Sequence, residues 1–282
     1  MLLSIDRFRQ CLEQLLAFSD GLARASAIVR TLVKLAAALR DKRNHHKLFQ
    51  EFMAAACYSG VLHERYIAGE NDCGDFVFAL LSHLDSEAEI TAALHSNVFD
   101  AATSFRLSEH FQCSVCNHVW PAHRGRADRF ERHVVLPVEL LKDNTLDAAL
   151  MQTTHPHEID HVCSSCRKRA KVIKNLEYQS APDVLFVQIA RPKGKLKSTP
   201  VTISARVFLS VFKAEFVLRA AAMHRGKSVD TGHYTSLASR GDNWFCCDDN
   251  DVEAVAVEHA LAEPRFKSGV VLLAYERASK AK

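Results

Sequence analysis

The chain has 282 residues, is 48% apolar and 24% charged, and carries a formal net charge of +3. These are globular values with ample core, and the charge singles out no partner class. No stretch approaches the roughly 18 uncharged apolar residues of a membrane span, and Asp6, Arg7 and Arg9 interrupt any signal-peptide pattern at the start. Nine cysteines, four of them in two close pairs, suit a reducing compartment and a metal site better than a disulfide framework, so a cytoplasmic or nuclear protein without a membrane anchor is expected.

The first hundred residues read as helical. Segments 8–17, 22–39, 46–56 and 75–84 place apolar residues three and four apart with few breakers. From about residue 104 the period changes, and 111–120, 130–138, 171–178, 184–190, 207–223 and 269–275 read as strands. Helices followed by strands, rather than alternating with them, predict an α+β fold.

Two Cys-x-x-Cys knuckles, Cys113/Cys116 and Cys163/Cys166, interrupt the β-rich half. A two-residue gap lets both thiolates of a tight turn reach one ion, and two such turns complete a tetrahedral sulfur shell. A closed four-cysteine shell predicts a structural Zn²⁺. His118 and His161 lie close by as neighbours or substitute ligands. The segment between the knuckles is basic, with His123, Arg124, Arg126, Arg129, Arg132 and His133. It lacks the interleaved aromatics on which nucleic-acid bases stack, which argues against a nucleic-acid binder.

Near the C-terminus, Gly232-His233-Tyr234-Thr235 and Trp244-Phe245-Cys246-Cys247-Asp248-Asp249 flank a Gly/Asp/Asn turn and predict a β-hairpin. A midpoint between Arg240 and Gly241 puts His233 directly opposite Asp248 on one face. There the carboxylate would orient the imidazole and leave its other nitrogen free as a base. Gly232 would leave room for a close backbone approach.

In this order the elements resemble the catalytic domain of the ubiquitin-specific proteases, papain-like cysteine peptidases. Gly232-His233-Tyr234-Thr235 with Trp244…Asp248-Asp249 is similar to the family's His box. Pro182-Asp183-Val184-Leu185 through Arg191 is similar to its "P-x-x-L-x-x-x-L-x-R-F" strand. Asn71-Asp72-Cys73-Gly74-Asp75-Phe76 resembles "Q-Q-D-A-x-E-F", and the four cysteines match its zinc ribbon. The resemblance implies a single domain over 1–282, with a helical thumb (about 1–100), fingers (101–178) and a palm (179–282). It implies His233 and Asp248 as base and orienter at the thumb–palm cleft, Asp249 in support, and ubiquitin or a ubiquitinated protein as partner.

The family's opening box, "G-N-T-C-Y-x-N-x-x-L-Q-x-L", is absent from this sequence. One register puts Leu3 at the nucleophile position, and a leucine forms no thiolate. Another makes Cys11 the nucleophile, but puts Asp6 where the family has its oxyanion-hole asparagine, and a carboxylate repels a developing oxyanion. Cys57 precedes a tyrosine, as in the family box, but lies too near Asp72 for the intervening helices. A start lacking the box would account for the pattern equally well. Two functions follow: a thiol-dependent deubiquitinase, or a catalytically inactive ubiquitin-binding scaffold of the same fold.

Overall fold

The computed structural model describes residues 2, 5–18, 26–41, 46–61, 73–91, 98–121, 131–139, 145–190, 200–228, 231–249 and 251–278. Leu3, Asn71, Asp72, residues 123–130 and the loop 191–199 lie outside these.

Five helices form one layer: α1 (Asp6–Phe18), α2 (Ala27–Arg40), α3 (His46–Tyr58), α4 (Cys73–Thr91) and α5 (Val98–Thr103). Their apolar residues recur at helical spacing. Phe8, Cys11 and Leu12 on α1, Ile28 and Leu32 on α2, and Val77, Leu80, Leu81 and Leu84 on α4 are all buried. They pack on one face of a large sheet through Val184, Phe186, Ala220, Ala222, Leu272 and Ala274. Alanines on the sheet let the helices approach closely. Ser26 caps α2, its Oγ accepting the Val29 N–H at 3.3 Å.

That sheet has eight strands: β4 (Val135–Glu139), β7 (Val184–Ala190), β8 (Arg206–Leu209), β9 (Ala214–Ser228), β10 (Thr231–Arg240), β11 (Asn243–Asp248), β12 (Asp251–Val255) and β13 (Val270–Arg277). Seven run in the order β12-β11-β10-β9-β13-β7-β4, with β8 on β9. Only the β4–β7 pair among them is parallel. Its second face carries α6 (Leu146–Thr153), α7 (Val257–Ala262) and α8 (Pro264–Gly269). There Leu150, Leu261 and Phe266 share a core with Met223, Leu237 and Val270.

The other sheet is formed by β1 (Phe105–Cys113), β2 (Val119–Pro121), β3 (Glu131–His133), β5 (His157–Val162) and β6 (Arg169–Tyr178). Its order is β2-β1-β6-β5, with β3 on β1. Arg7 on α1 ties the helical layer to the palm. Its guanidinium donates to Asp183 at 3.0 and 3.1 Å, and Arg277 of β13 engages the same carboxylate.

Three expected strands divide. The segment 111–120 is the end of β1 and the start of β2, with a knuckle between them. The segment 130–138 changes sheets at Val134. The segment 207–223 is β8 and β9, separated by a turn in which Lys213 has φ 51°. Helices α5, α7 and α8 and strand β12 lie outside the expected segments, as do strand β5 and helix α6. Helix α6 carried its signal, since Thr145 caps it through Ala148 N–H and Leu146, Ala149 and Leu150 are buried at helical spacing. Strand β5 shows no alternation, being exposed along nearly its whole length.

Candidate functional site

The late hairpin forms as β10 and β11, but its register differs from the expected one. Arg240 pairs with Asn243 and Ser236 with Cys247, so Gly241 and Asp242 form the two-residue turn. Gly241 has φ +60°, and a hairpin turn with glycine at its first central position needs that left-handed geometry. The turn therefore sits one residue later than the midpoint placed it. By the same count Asp248 falls opposite Thr235, and His233 is its diagonal neighbour rather than its direct partner. A two-residue slide preserves the face, because side chains alternate with period two. The two side chains still meet: His233 Nε2 lies 2.5 Å from Asp248 Oδ1.

This contact fixes which nitrogen is available. With Nε2 directed at the carboxylate, Nδ1 is the nitrogen left to accept a proton. The hydrogen bond from His233 is the largest influence holding the Asp248 carboxyl below the usual range. Burial opposes it, and the Arg225 guanidinium assists. Asp249 follows at φ +51°, exposed, and the ligand atoms of His233, Asp248 and Asp249 lie within 4.8 Å of one another.

Arg225 was not singled out from the sequence. It pairs directly with His233 across β9 and β10, and its Nη2 donates to Asp248 Oδ2 at 2.6 Å. A signal existed: Arg225-Gly226 and Gly232-His233 are mirror images about position 229. Gly232 answers to the close approach expected of it. A Cβ there would lie 2.2 Å from His224 Nε2 and 2.5 Å from the Arg225 carbonyl oxygen. The His224 ring in turn packs on Tyr234, with centroids 4.8 Å apart.

Arg225, Asp248, Thr235 and Leu237 border a cavity of about 240 Å³ with Cys246 and Phe266. Strand alternation therefore puts the pair on the face that carries α7 and α8. The helical layer packs on the opposite face through Ala220 and Ala222, with Ala238 against them.

Cys11 lies in the middle of α1 and is 1% exposed. Burial pushes its thiol up to about 11, with Arg7 lowering it and Asp183 raising it. Asp183 immediately precedes β7, whose Val184 is level with Glu276 and Val217. His233 is level with Arg225, eight residues farther along β9, or roughly 26 Å at strand rise. Cys11 and His233 thus belong to opposite ends of the sheet. Cys57 and Cys73 pack against the helical core. Cys247 and Cys246 pair with Ser236 and Leu237, three and four residues along β10 from His233.

The two knuckles converge. Cys113 and Cys166 sulfurs are 4.0 Å apart, Cys116 and Cys163 sulfurs 3.6 Å, and all four lie within 4.8 Å of one another. Four thiolates about 2.3 Å from a tetrahedral zinc stand roughly 3.8 Å apart, so the cluster could hold a metal and fits a zinc ribbon. The knuckles share one backbone design. Asn117 N–H donates to Cys113 O and Cys113 N–H to His118 O; Arg167 N–H donates to Cys163 O and Cys163 N–H to Lys168 O. Asn117 and Arg167 both adopt positive φ, 55° and 59°. The Val115 and Ser165 N–H groups point at the Cys113 and Cys163 sulfurs, as donors to thiolates would. His118 and His161 stack on Trp120.

The assembly is a mixed helix and sheet fold with a His–Asp pair on a palm hairpin and a four-cysteine cluster in the fingers. Residues 1–275 match the family model described as Ubiquitin carboxyl-terminal hydrolase. The mouse protein Ubiquitin carboxyl-terminal hydrolase 17-like protein D is 25% identical over 158 residues, covering 51% of this chain and 29% of that protein. Arabidopsis thaliana Ubiquitin carboxyl-terminal hydrolase 25 is 23% identical over 177 residues, covering 57% and 26%. The structure of the SAGA DUB module Ubp8/Sgf11/Sus1/Sgf73 bound to ubiquitin aldehyde superposes with a TM-score of 0.80 at 16% identity, over 99% of this chain and 66% of that one. At that identity the likeness is one of fold. The chain belongs to the ubiquitin carboxyl-terminal hydrolase family and has the architecture of a ubiquitin-specific protease catalytic domain. Its match spans less than a third of either curated relative.

Proposed function

We propose that this chain recognises ubiquitin and, with its own cysteines alone, cleaves ubiquitin conjugates poorly or not at all. The observation that carries the reading is the fate of the thiols. Hydrolysis by this family's chemistry needs a thiolate at the free Nδ1 of the base, attacking the carbonyl of the ubiquitin C-terminus. Four of the nine cysteines gather in the fingers, three pack in the helical layer, and two lie along β11 away from His233. The base and its orienter are assembled, so a thiol supplied at Nδ1 would restore the deubiquitinase reading. We further propose that the four-cysteine cluster holds a structural Zn²⁺, with no open position for chemistry. Nine cysteines, none of them in a disulfide, support a cytoplasmic or nuclear setting.

Ubiquitin carrying a C-terminal electrophile tests the reading. Calorimetry with ubiquitin should register binding while mass spectrometry finds no covalent adduct. An adduct on Cys11, abolished by Cys11→Ala, would overturn the non-catalytic reading.

A further inference from the structure

We propose that Arg225 is a positioning residue that selects Asp248 over Asp249 as the carboxylate orienting His233. The inference rests on His233 acting as the base of the site. Two adjacent carboxylates are within reach of one imidazole, since their ligand atoms and the ring nitrogen all lie within 4.8 Å. Nothing in the His233 ring distinguishes them. Arg225 does, because it is the direct cross-strand partner of His233 and projects to the same face.

Its guanidinium takes Oδ2 of Asp248 at 2.6 Å and leaves Oδ1 for His233 Nε2 at 2.5 Å. One carboxylate is thus held at both oxygens by two charge-capable donors, a geometry that fixes its rotation. Asp249 makes no ion pair among the described residues, and its positive φ turns the chain away just after β11. All three members of the clamp are between 41% and 45% exposed, so solvent screens each pair. The contribution of Arg225 is therefore to geometry and choice of partner more than to stability.

The test uses the folded chain with ¹⁵N-labelled histidine and reads the hydrogen-bonded ring N–H of His233, assigned by its loss in His233→Gln. That signal should be lost in Asp248→Asn and kept in Asp249→Asn. If Asp248→Asn leaves it unmoved, the His–Asp pairing itself is wrong, and with it the reading on which this inference rests. In Arg225→Met the signal should shift and exchange several-fold faster with water, and Asp249→Asn, silent in the parent, should now move it further. Arg225→Lys should keep most of the parent behaviour. A merely structural arginine would not transfer sensitivity from one carboxylate to the other. An unchanged His233 signal in Arg225→Met, or an Asp249→Asn that stays silent in that background, overturns the proposal. Arg225→Gln, which keeps a polar stem without the charge, gives the same readout if the Met variant does not fold.

Discussion

Replacing Gly232 by alanine should damage the site at its narrowest point. The added Cβ would stand 2.2 Å from His224 Nε2, 2.7 Å from His224 Cε1 and 2.5 Å from the Arg225 carbonyl oxygen. The backbone at Gly232 is not left-handed, so the penalty is steric rather than conformational. The imidazole can swing aside; the carbonyl belongs to a paired strand and moves only by opening the β9–β10 ladder beside His233. Overpacking of this kind costs about 2 kcal/mol, and in a domain this size it should lower the melting temperature by about 4–6 °C. Adding His224→Ala removes the ring clash and leaves the carbonyl one, so rescue should be partial. Gly241→Ala is the control. It has open space around its Cβ and only the strain of φ +60°, about 1 kcal/mol. Thermal unfolding of the three variants, with the His233 ring signal as a local reporter, decides the matter. If Gly232→Ala melts with the parent and keeps the His233 signal, or if His224→Ala restores it fully, the steric argument fails.

Purified protein should carry about one zinc per chain, and Cys113→Ser should release it. Hydrogen exchange should then quicken first around the knuckles while β9 and β13 stay protected. The Cys11 thiol, pushed up to about 11, should resist iodoacetamide in the folded protein at pH 8, with on the order of one part in a thousand as thiolate. Rapid native alkylation there would contradict its placement. The depressed Asp248 carboxyl binds a proton less readily folded than unfolded. Its contribution is present above the ordinary carboxylate range and fades as pH falls through the folded-state value. Asp248→Asn should therefore flatten the acid limb of a stability–pH curve and leave the neutral region's slope unchanged.

The His–Asp pair was legible because parity is robust. Moving the turn from Arg240-Gly241 to Gly241-Asp242 slid the pairing by two residues, and two residues return a side chain to the same face. What decided the true turn was a positive φ at Gly241, a property of turn geometry rather than of composition. The knuckles were legible because spacing alone sets what two thiolates can reach. Arg225 was missed because its role exists only across β9 and β10, and pairing between strands is a tertiary fact. Strand β5 was missed because its exposure leaves no periodic apolar signal. Helix α6, by contrast, displayed a cap and a spaced apolar face; there the reading failed, not the sequence.

The matched knuckles bear on how this domain tolerates change in length. Cys116 and Cys163 are separated by 46 residues, yet their sulfurs lie 3.6 Å apart. An ion there would act as a clasp across a long loop of chain. The entropy of closing such a loop grows only with the logarithm of its length, so doubling the intervening chain adds about 0.6 kcal/mol to the closure term. Each turn is shaped by its own backbone bonds and would hold the ion through its two thiolates, independent of what lies between. Extra chain inserted between the knuckles would thus be nearly neutral for the clasp, whereas one residue added inside either knuckle would destroy it.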